Sequence, residues 1–413
     1  MRVRLAAALL GVALLLPASA VAQNVAITNA KIIVGSGQVI DAGTIIVRDG
    51  KIATVTGASV QIPRGVQVID AKGMSAMPGF IDGHKHLADS PTGKAWMQSL
   101  LEAGYTTILI GGGAAEANLA LAKKIDSGEY NGPRVIPSGT VALRQTPLEA
   151  RTAVQALAHM GIKHTGEIGL TPEPAPPQAE IEVLKAIVDE AKKVDIQVNV
   201  HAVSSPAMTA ALDAGVTRLV HLPTKDWTTY EQADAVAKAG AIVAGLIAFG
   251  APNVDTLSQG PAPVQWPKDN TPRFRDGKPW PEAIAGANRD AKGRATGTEG
   301  GFTIINARRI WDADPNHTTI SYSTDQNADD LVVLEHELKS FSVVFSMADI
   351  HRIIGPNAAR FVGMADQIGT LEPGKLADII LLDGDPTKNI YEMLTTKVVL
   401  KAGKVVVDKR PAH

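Results

Sequence analysis

No cysteine occurs anywhere in the 413-residue chain. That excludes disulfide staples, thiolate nucleophiles and thiolate metal ligands alike. Any bound metal must be gripped by imidazole and carboxylate, and stability must come from core packing together with such ions. Aromatic residues are scarce, at 4%, which suits helices packed closely on strands through Ala and Gly. A surplus of one charge is missing too, since 40 Lys and Arg face 42 Asp and Glu for a net of −2. The balance gives no electrostatic reason to expect nucleic acid or an anionic membrane as a partner. Beyond the first two dozen residues no apolar run reaches membrane-spanning length, so the mature chain is expected to be soluble.

The N-terminus is the exception to this even composition. Arg2 and Arg4 precede the apolar run LAAALLGVALLLPASAVAQ, and Ala20 and Ala22 form a small-x-small pattern before Gln23. This is the three-part layout of a secretory signal over 1–22, with an apolar core too short for a comfortable span. It predicts export to the periplasm or medium; an uncleaved N-terminal anchor is the alternative.

Two kinds of hydrophobic rhythm follow. From Val25 to about Gly73 the runs are short, β-branched and alternating, with Asp49-Gly50 as a hairpin signal between two of them. The last forty-odd residues repeat that style in ADIILLDGD and KVVLKAGKVVVD, turning at Gly403. Neither piece can bury a core alone, so 23–76 and 369–413 are expected to pair into one small β-sandwich domain. Between them, across 77–368, strand candidates alternate with amphipathic helices such as PQAEIEVLKAIVDEAKKV and TYEQADAVAKAG. Counting the strand that ends in GFIDGHKHL gives eight strands with crossovers, the α/β arithmetic of a (β/α)8 TIM barrel. One connection is too long. About 251–316 is rich in Pro, Gly and charge and carries Trp266, Trp280 and Trp311, three of the five tryptophans. It reads as an insertion that lids a pocket or, alternatively, as a surface elaboration. Arg273, Arg275 and Lys278 within it could meet a substrate carboxylate or simply be solvated.

Four of ten histidines fall at strand ends: His84, His86, His201 and His221. Residues two apart on a strand share a face, so His84 and His86 can share one ion. A lone strand-end histidine is usually structural. Four on one rim are different, because buried neutral imidazoles without an ion are costly to satisfy. Asp325, in ISYSTD, adds a carboxylate at the eighth strand end, although an Asp there can also be a helix cap. His159, His164, His317, His336, His351 and His413 fall in helices, in loops or on other strand faces and read as structural or solvent-exposed.

The run GFIDGHKHL resembles the first-strand motif of the metal-dependent amidohydrolase superfamily, and GTLEPGKLADIILLDGDP resembles the segment where that family's chain leaves its barrel. The order His-x-His, a fourth-strand bridging residue, His, His, Asp matches as well. The resemblance implies two divalent ions: one held by His84 and His86 with Asp325, the other by His201 and His221, with the fourth-strand residue bridging. In IKHTGEIGL both Lys163 and Glu167 lie on one face by period two, so alternation leaves a carboxylated lysine or a glutamate open. Four residues of strand span about 13 Å, and the residue nearer the strand's C-terminal end should reach the ions. That favours Glu167, as does the likeness of GEIGL to the enamidase-like branch; Lys163 would then be a buried charge paired deeper in the barrel.

The implied activity is hydrolysis of an amide-type C–N bond in a small molecule, such as a cyclic amide, an N-acyl amino acid or a dipeptide. A metal-bridging hydroxide would attack, and Asp325 would shuttle the proton. Zinc suits the ligand set, and manganese or iron would also fit. Ester or lactone hydrolysis is the neighbouring alternative, and a non-catalytic binding or assembly barrel is the alternative of another class. A homo-oligomer is compatible with all of them.

Overall fold

The computed structural model describes residues 24–90, 92–247, 298–325 and 330–411. The signal-like segment, Trp266, Trp280, Arg273, Arg275, Lys278 and His413 lie outside these residues. Among the described residues no helix is long and apolar enough to cross a membrane.

The β-branched runs at the two ends of the chain form one eight-stranded sheet. It takes β1 (Val25–Ile33), β2 (Val39–Arg48), β3 (Lys51–Thr56), β4 (Gln67–Asp70) and β5 (Ser75–Pro78) from the front. Strand β5, which runs two residues past the boundary read at 76, pairs antiparallel with a C-terminal strand in the register Ile380↔Met77. The two hairpins use the same turn chemistry. Asp49 and Gly50 have φ of 49° and 77°, and Ala402 and Gly403 have 46° and 77°. Two consecutive positive φ values match the twist of a two-residue hairpin. Val25, Ile27, Ile32, Ile45, Val47, Ile379, Leu381, Val398 and Leu400 form this sheet's own buried core.

The middle of the chain is α/β with parallel strands. Strands β6 (Phe80–Lys85), β7 (Tyr105–Ile110) and β8 (Arg134–Ile136) make a three-stranded sheet. Strands β9 (Ser138–Gly139), β10 (His164–Gly169), β11 (Gln197–His201), β12 (Arg218–Val220), β13 (Ile242–Gly245) and β14 (Ile320–Tyr322) make a six-stranded one. Both are parallel throughout, and helices separate most successive strands. Capping boxes at Thr146/Glu149 and Thr229/Gln232 start two of those helices by satisfying their first N–H groups. At one side of the three-stranded sheet the Asp325 N–H donates to the His84 carbonyl at 3.0 Å, next to β14. At the other the Glu167 N–H on β10 donates to the Gly111 carbonyl at 2.7 Å, next to β7.

The chain then returns to the terminal sheet through β15 (Ile379–Leu382), β16 (Thr396–Lys401) and β17 (Lys404–Asp408). Arg134 at the start of β8 reaches the buried Asp378 at 2.6 Å, and Asp378 also accepts from the Ala402 N–H at 2.7 Å. This charge-assisted pair joins the parallel strands to the terminal sheet.

The structure corrects one reading of the 251–316 connection. Residues Thr298–Ala313 are a helix, and its Ile304, Ile305, Ala307, Ile310 and Trp311 are buried. Trp311 stacks on His317 at 4.7 Å and meets the edge of Phe345. It belongs to the helix that crosses into β14 rather than to a lid, because its apolar spacing pins that helix to the strands.

Candidate metal centre

The C-terminal ends of five parallel strands bring His84, His86, Glu167, His201, His221 and Asp325 together. His84 comes from β6 and His86 directly follows it, Glu167 comes from β10 and His201 from the last position of β11. His221 follows β12 directly, and Asp325 lies three residues past β14. His221 and Asp325 have φ of 66° and 46°. Left-handed backbone at non-glycine residues is strained, and strain of this kind gathers at functional sites. Both are pinned by their own N–H groups, His221 to the Ala244 carbonyl and Asp325 to that of His84.

Glu167 lies between two pairs of rings. Its Oε1 is 3.2 Å from His86 Nε2. Its Oε2 accepts from His201 Nδ1 at 2.8 Å and lies 3.4 Å from His221 Nε2 and 3.6 Å from His84 Nε2. Asp325 Oδ1 is 3.3 Å from His86 Nε2 and 3.5 Å from His84 Nε2, with Oδ2 3.7 Å from His221 Nε2. Donors at about 2.0–2.2 Å around a tetrahedral ion lie roughly 3.3–3.6 Å apart, so most of these separations suit a shared ion better than a hydrogen bond. Three overlapping triads could each hold one: His84–His86–Glu167, His84–His221–Asp325 and Glu167–His201–His221. The sharpest sign is His84 Nε2, which is buried, faces both carboxylates and makes no hydrogen bond. An orphaned imidazole nitrogen beside two anions fits a divalent cation.

The protonation states point the same way. Burial works to raise the Glu167 carboxyl, but hydrogen bonds from His201, His221 and His86 outweigh it and hold it well below the usual range. Burial, then repulsion from His221, pushes His84 down to about 3, which leaves a neutral ligand nitrogen. The hydrogen bond His86 donates to Glu167 raises the His86 imidazole, and burial raises Asp325.

Lys163 is not part of this cluster. It precedes β10, its side chain is 60% exposed, and its Nζ pairs with Asp195 at 3.0 Å. An irregularity between His164 and Glu167 breaks the period-two register that put Lys163 and Glu167 on one face. The expected buried charge is therefore a surface ion pair. Of the remaining histidines, His164 and His351 are buried and His159 is exposed.

Two neighbours of the cluster escaped the sequence reading. Asp82, fully buried, accepts the N–H groups of His84 and Thr324 at 3.0 and 3.1 Å and the Thr324 hydroxyl at 2.5 Å. Burial raises its carboxyl to about 6 against the nearby Lys85. Lys85 donates to Thr324 Oγ1 at 3.2 Å and pairs with Asp330 at 3.4 Å. The signal was present, since Asp82 shares the face of His84 and His86 by period two. The run Gly111-Gly112-Gly113 at the end of β7 was also overlooked; glycines beside a strand often mark a close approach.

A family profile described as the amidohydrolase family matches residues 151–407. The chain belongs to the amidohydrolase family. The profile and the curated relatives agree on the metal-dependent amidohydrolase superfamily. Over 90% of this chain and 91% of its own length, imidazolonepropionase of Geobacillus kaustophilus is 24% identical. Enamidase of Eubacterium barkeri is 29% identical over 34% of this chain and 42% of its own. Two other curated relatives align over 17% and 20% of their own length. A solved prolidase complexed with N-methylphosphonate-L-proline covers 94% of this amidohydrolase with a TM-score of 0.71 at 20% identity.

Proposed function

We propose that this chain is an exported hydrolase that cleaves an amide-type C–N bond of a small molecule at a two-ion centre. One observation carries the reading: Glu167 offers Oε1 to His86 and Oε2 to His201 and His221, the disposition of a bridging carboxylate. His84 and His86 with Asp325 would hold one ion, and His201 and His221 the other. Zinc is the ion assigned, from imidazole and carboxylate donors without thiolate. The two parallel sheets are read as one (β/α)8 barrel, a reading supported by the bonds Asp325 N–H to His84 and Glu167 N–H to Gly111. The terminal sheet is read as the β-sandwich domain. Relatives named as an enamidase, a deacetylase and a prolidase support an amide-type bond.

Bound divalent ions would supply Lewis acidity toward water and a carbonyl oxygen. The protein's own groups do the rest. The imidazoles of His201, His221 and His86 hold the Glu167 carboxyl low without ions, and bound cations would keep it ionised in their place. His84 stays neutral through burial. Asp325, raised by burial, is tuned toward accepting a proton from the attacking water and returning it to the leaving nitrogen.

The test is metal analysis of purified protein with a hydrolysis screen of N-acyl amino acids, dipeptides, cyclic amides and lactones. Near two equivalents of metal are expected, with amide turnover lost to chelator, lost in Glu167→Ala and cut at least 100-fold in Asp325→Asn. Folded protein that binds no metal would overturn the enzyme reading, and turnover of lactones alone would overturn the amide assignment. An exported form starting at Gln23 is expected; a retained leader would refute export by cleavage.

A further inference from the structure

The end of β7 contributes no ligand, yet the centre is built around it. The His84 ring lies against Gly111 so closely that a Cβ there would stand 2.5 Å from its Cε1, 2.8 Å from Nε2 and 2.9 Å from Nδ1. Real Cβ atoms do not approach so near, and the ring has nowhere to retreat. It is 2% exposed, its Nε2 faces Asp325 and Glu167, and it packs nearly perpendicular to the rings of His86 and His221, with centroids 5.1 and 5.4 Å away. The backbone of Gly111 is equally constrained. Its N–H donates to the Lys85 carbonyl, between His84 and His86, at 3.0 Å, and its carbonyl accepts from Glu167 at 2.7 Å. The conformation itself does not call for glycine, because φ at this position is not left-handed. Only the space does.

We infer that Gly111 is a positioning residue of the centre: its missing side chain is the seat of the His84 imidazole, and its peptide groups hold the strands of His84, His86 and Glu167 in register. This rests on the metal reading above in so far as His84 is a ligand. Gly112 supplies an internal control, since a Cβ there would meet the His86 ring at 3.5 Å, an ordinary contact.

The experiment compares Gly111→Ala and Gly112→Ala by Zn2+ affinity in chelator competition and by the visible spectrum of the Co2+-substituted protein. Gly111→Ala is expected to weaken Zn2+ binding at least tenfold and to alter the Co2+ spectrum, in line with the cost of disturbing groups that orient a ligand. Gly112→Ala is expected to stay within about twofold of wild type. Wild-type affinity and spectrum in Gly111→Ala would overturn the inference. A second measurement does not depend on metal. In chelated protein Gly111→Ala should lower the melting temperature when His84 is present and much less in a His84→Ala background, where the ring is gone. Equal losses in the two backgrounds would show that Gly111 does not act through the ring. Absence of metal from wild type would count against the metal reading, leaving this packing test to decide the role of Gly111.

Discussion

Replacing Asp82 with alanine strands the donors that tie the end of β6 to the chain leaving β14. The carboxylate accepts from the His84 N–H, the Thr324 N–H and the Thr324 hydroxyl, all buried. Hydrogen bonds to a charged acceptor contribute about 1.5–3 kcal/mol each, or roughly 5–9 kcal/mol for three. Relief of the buried carboxylate's desolvation offsets several kcal/mol of that, leaving a net loss of about 3–5 kcal/mol. With an unfolding entropy near 2.1 cal/mol/K per residue and a cooperative unit of roughly 300 residues, the melting temperature should fall by about 5–8 °C. Calorimetry on chelated protein is the assay, so that lost metal does not contribute. Asp82→Asn keeps the acceptor for both N–H groups and should lose about half as much. A fall below about 2 °C for Asp82→Ala, or equal losses for Asn and Ala, would refute the reasoning.

Two further outcomes follow from the same geometry. His164 is buried, and burial followed by repulsion from Arg218 lowers it to about 3, against the bond it makes to the Val362 carbonyl. The folded state therefore binds fewer protons than the unfolded one below pH 6.5, so stability is complete above that value and is lost as pH falls toward 3. The loss by pH 5 is on the order of 2 kcal/mol, and His164→Phe should flatten the acid limb of a stability–pH curve by that amount; an unchanged limb would refute the assignment. Lys163→Ala removes one exposed partner of the Asp195 pair and should cost under about 0.5 kcal/mol with metal content unchanged. Loss of metal in that variant would revive the carboxylated lysine.

How much of this was legible in the chain itself depends on the range of each signal. The histidines and Asp325 were readable because strand ends and period two are local properties, and the structure gathers all six singled-out residues. The hairpin at Asp49-Gly50 was readable for the same reason. Alternation left Lys163 and Glu167 open because period two puts both on one face. Depth along the strand favoured Glu167, which lies in the cluster, whereas the exposed place of Lys163 follows from a register irregularity that is a tertiary fact. Trp311 was misplaced because composition reads a Pro- and Gly-rich connection as one piece, whereas packing divides it at Thr298.

The absence of cysteine and the presence of histidines at strand ends limited the donors open to any metal in this chain to imidazole and carboxylate. Tertiary structure alone decided which groups meet. It set Glu167 between His86 and His201, joined Asp82 to Thr324, and laid the His84 ring on Gly111. Those contacts join residues 25 or more positions apart, or depend on where backbone leaves room, and neither property is carried by any local pattern of side chains.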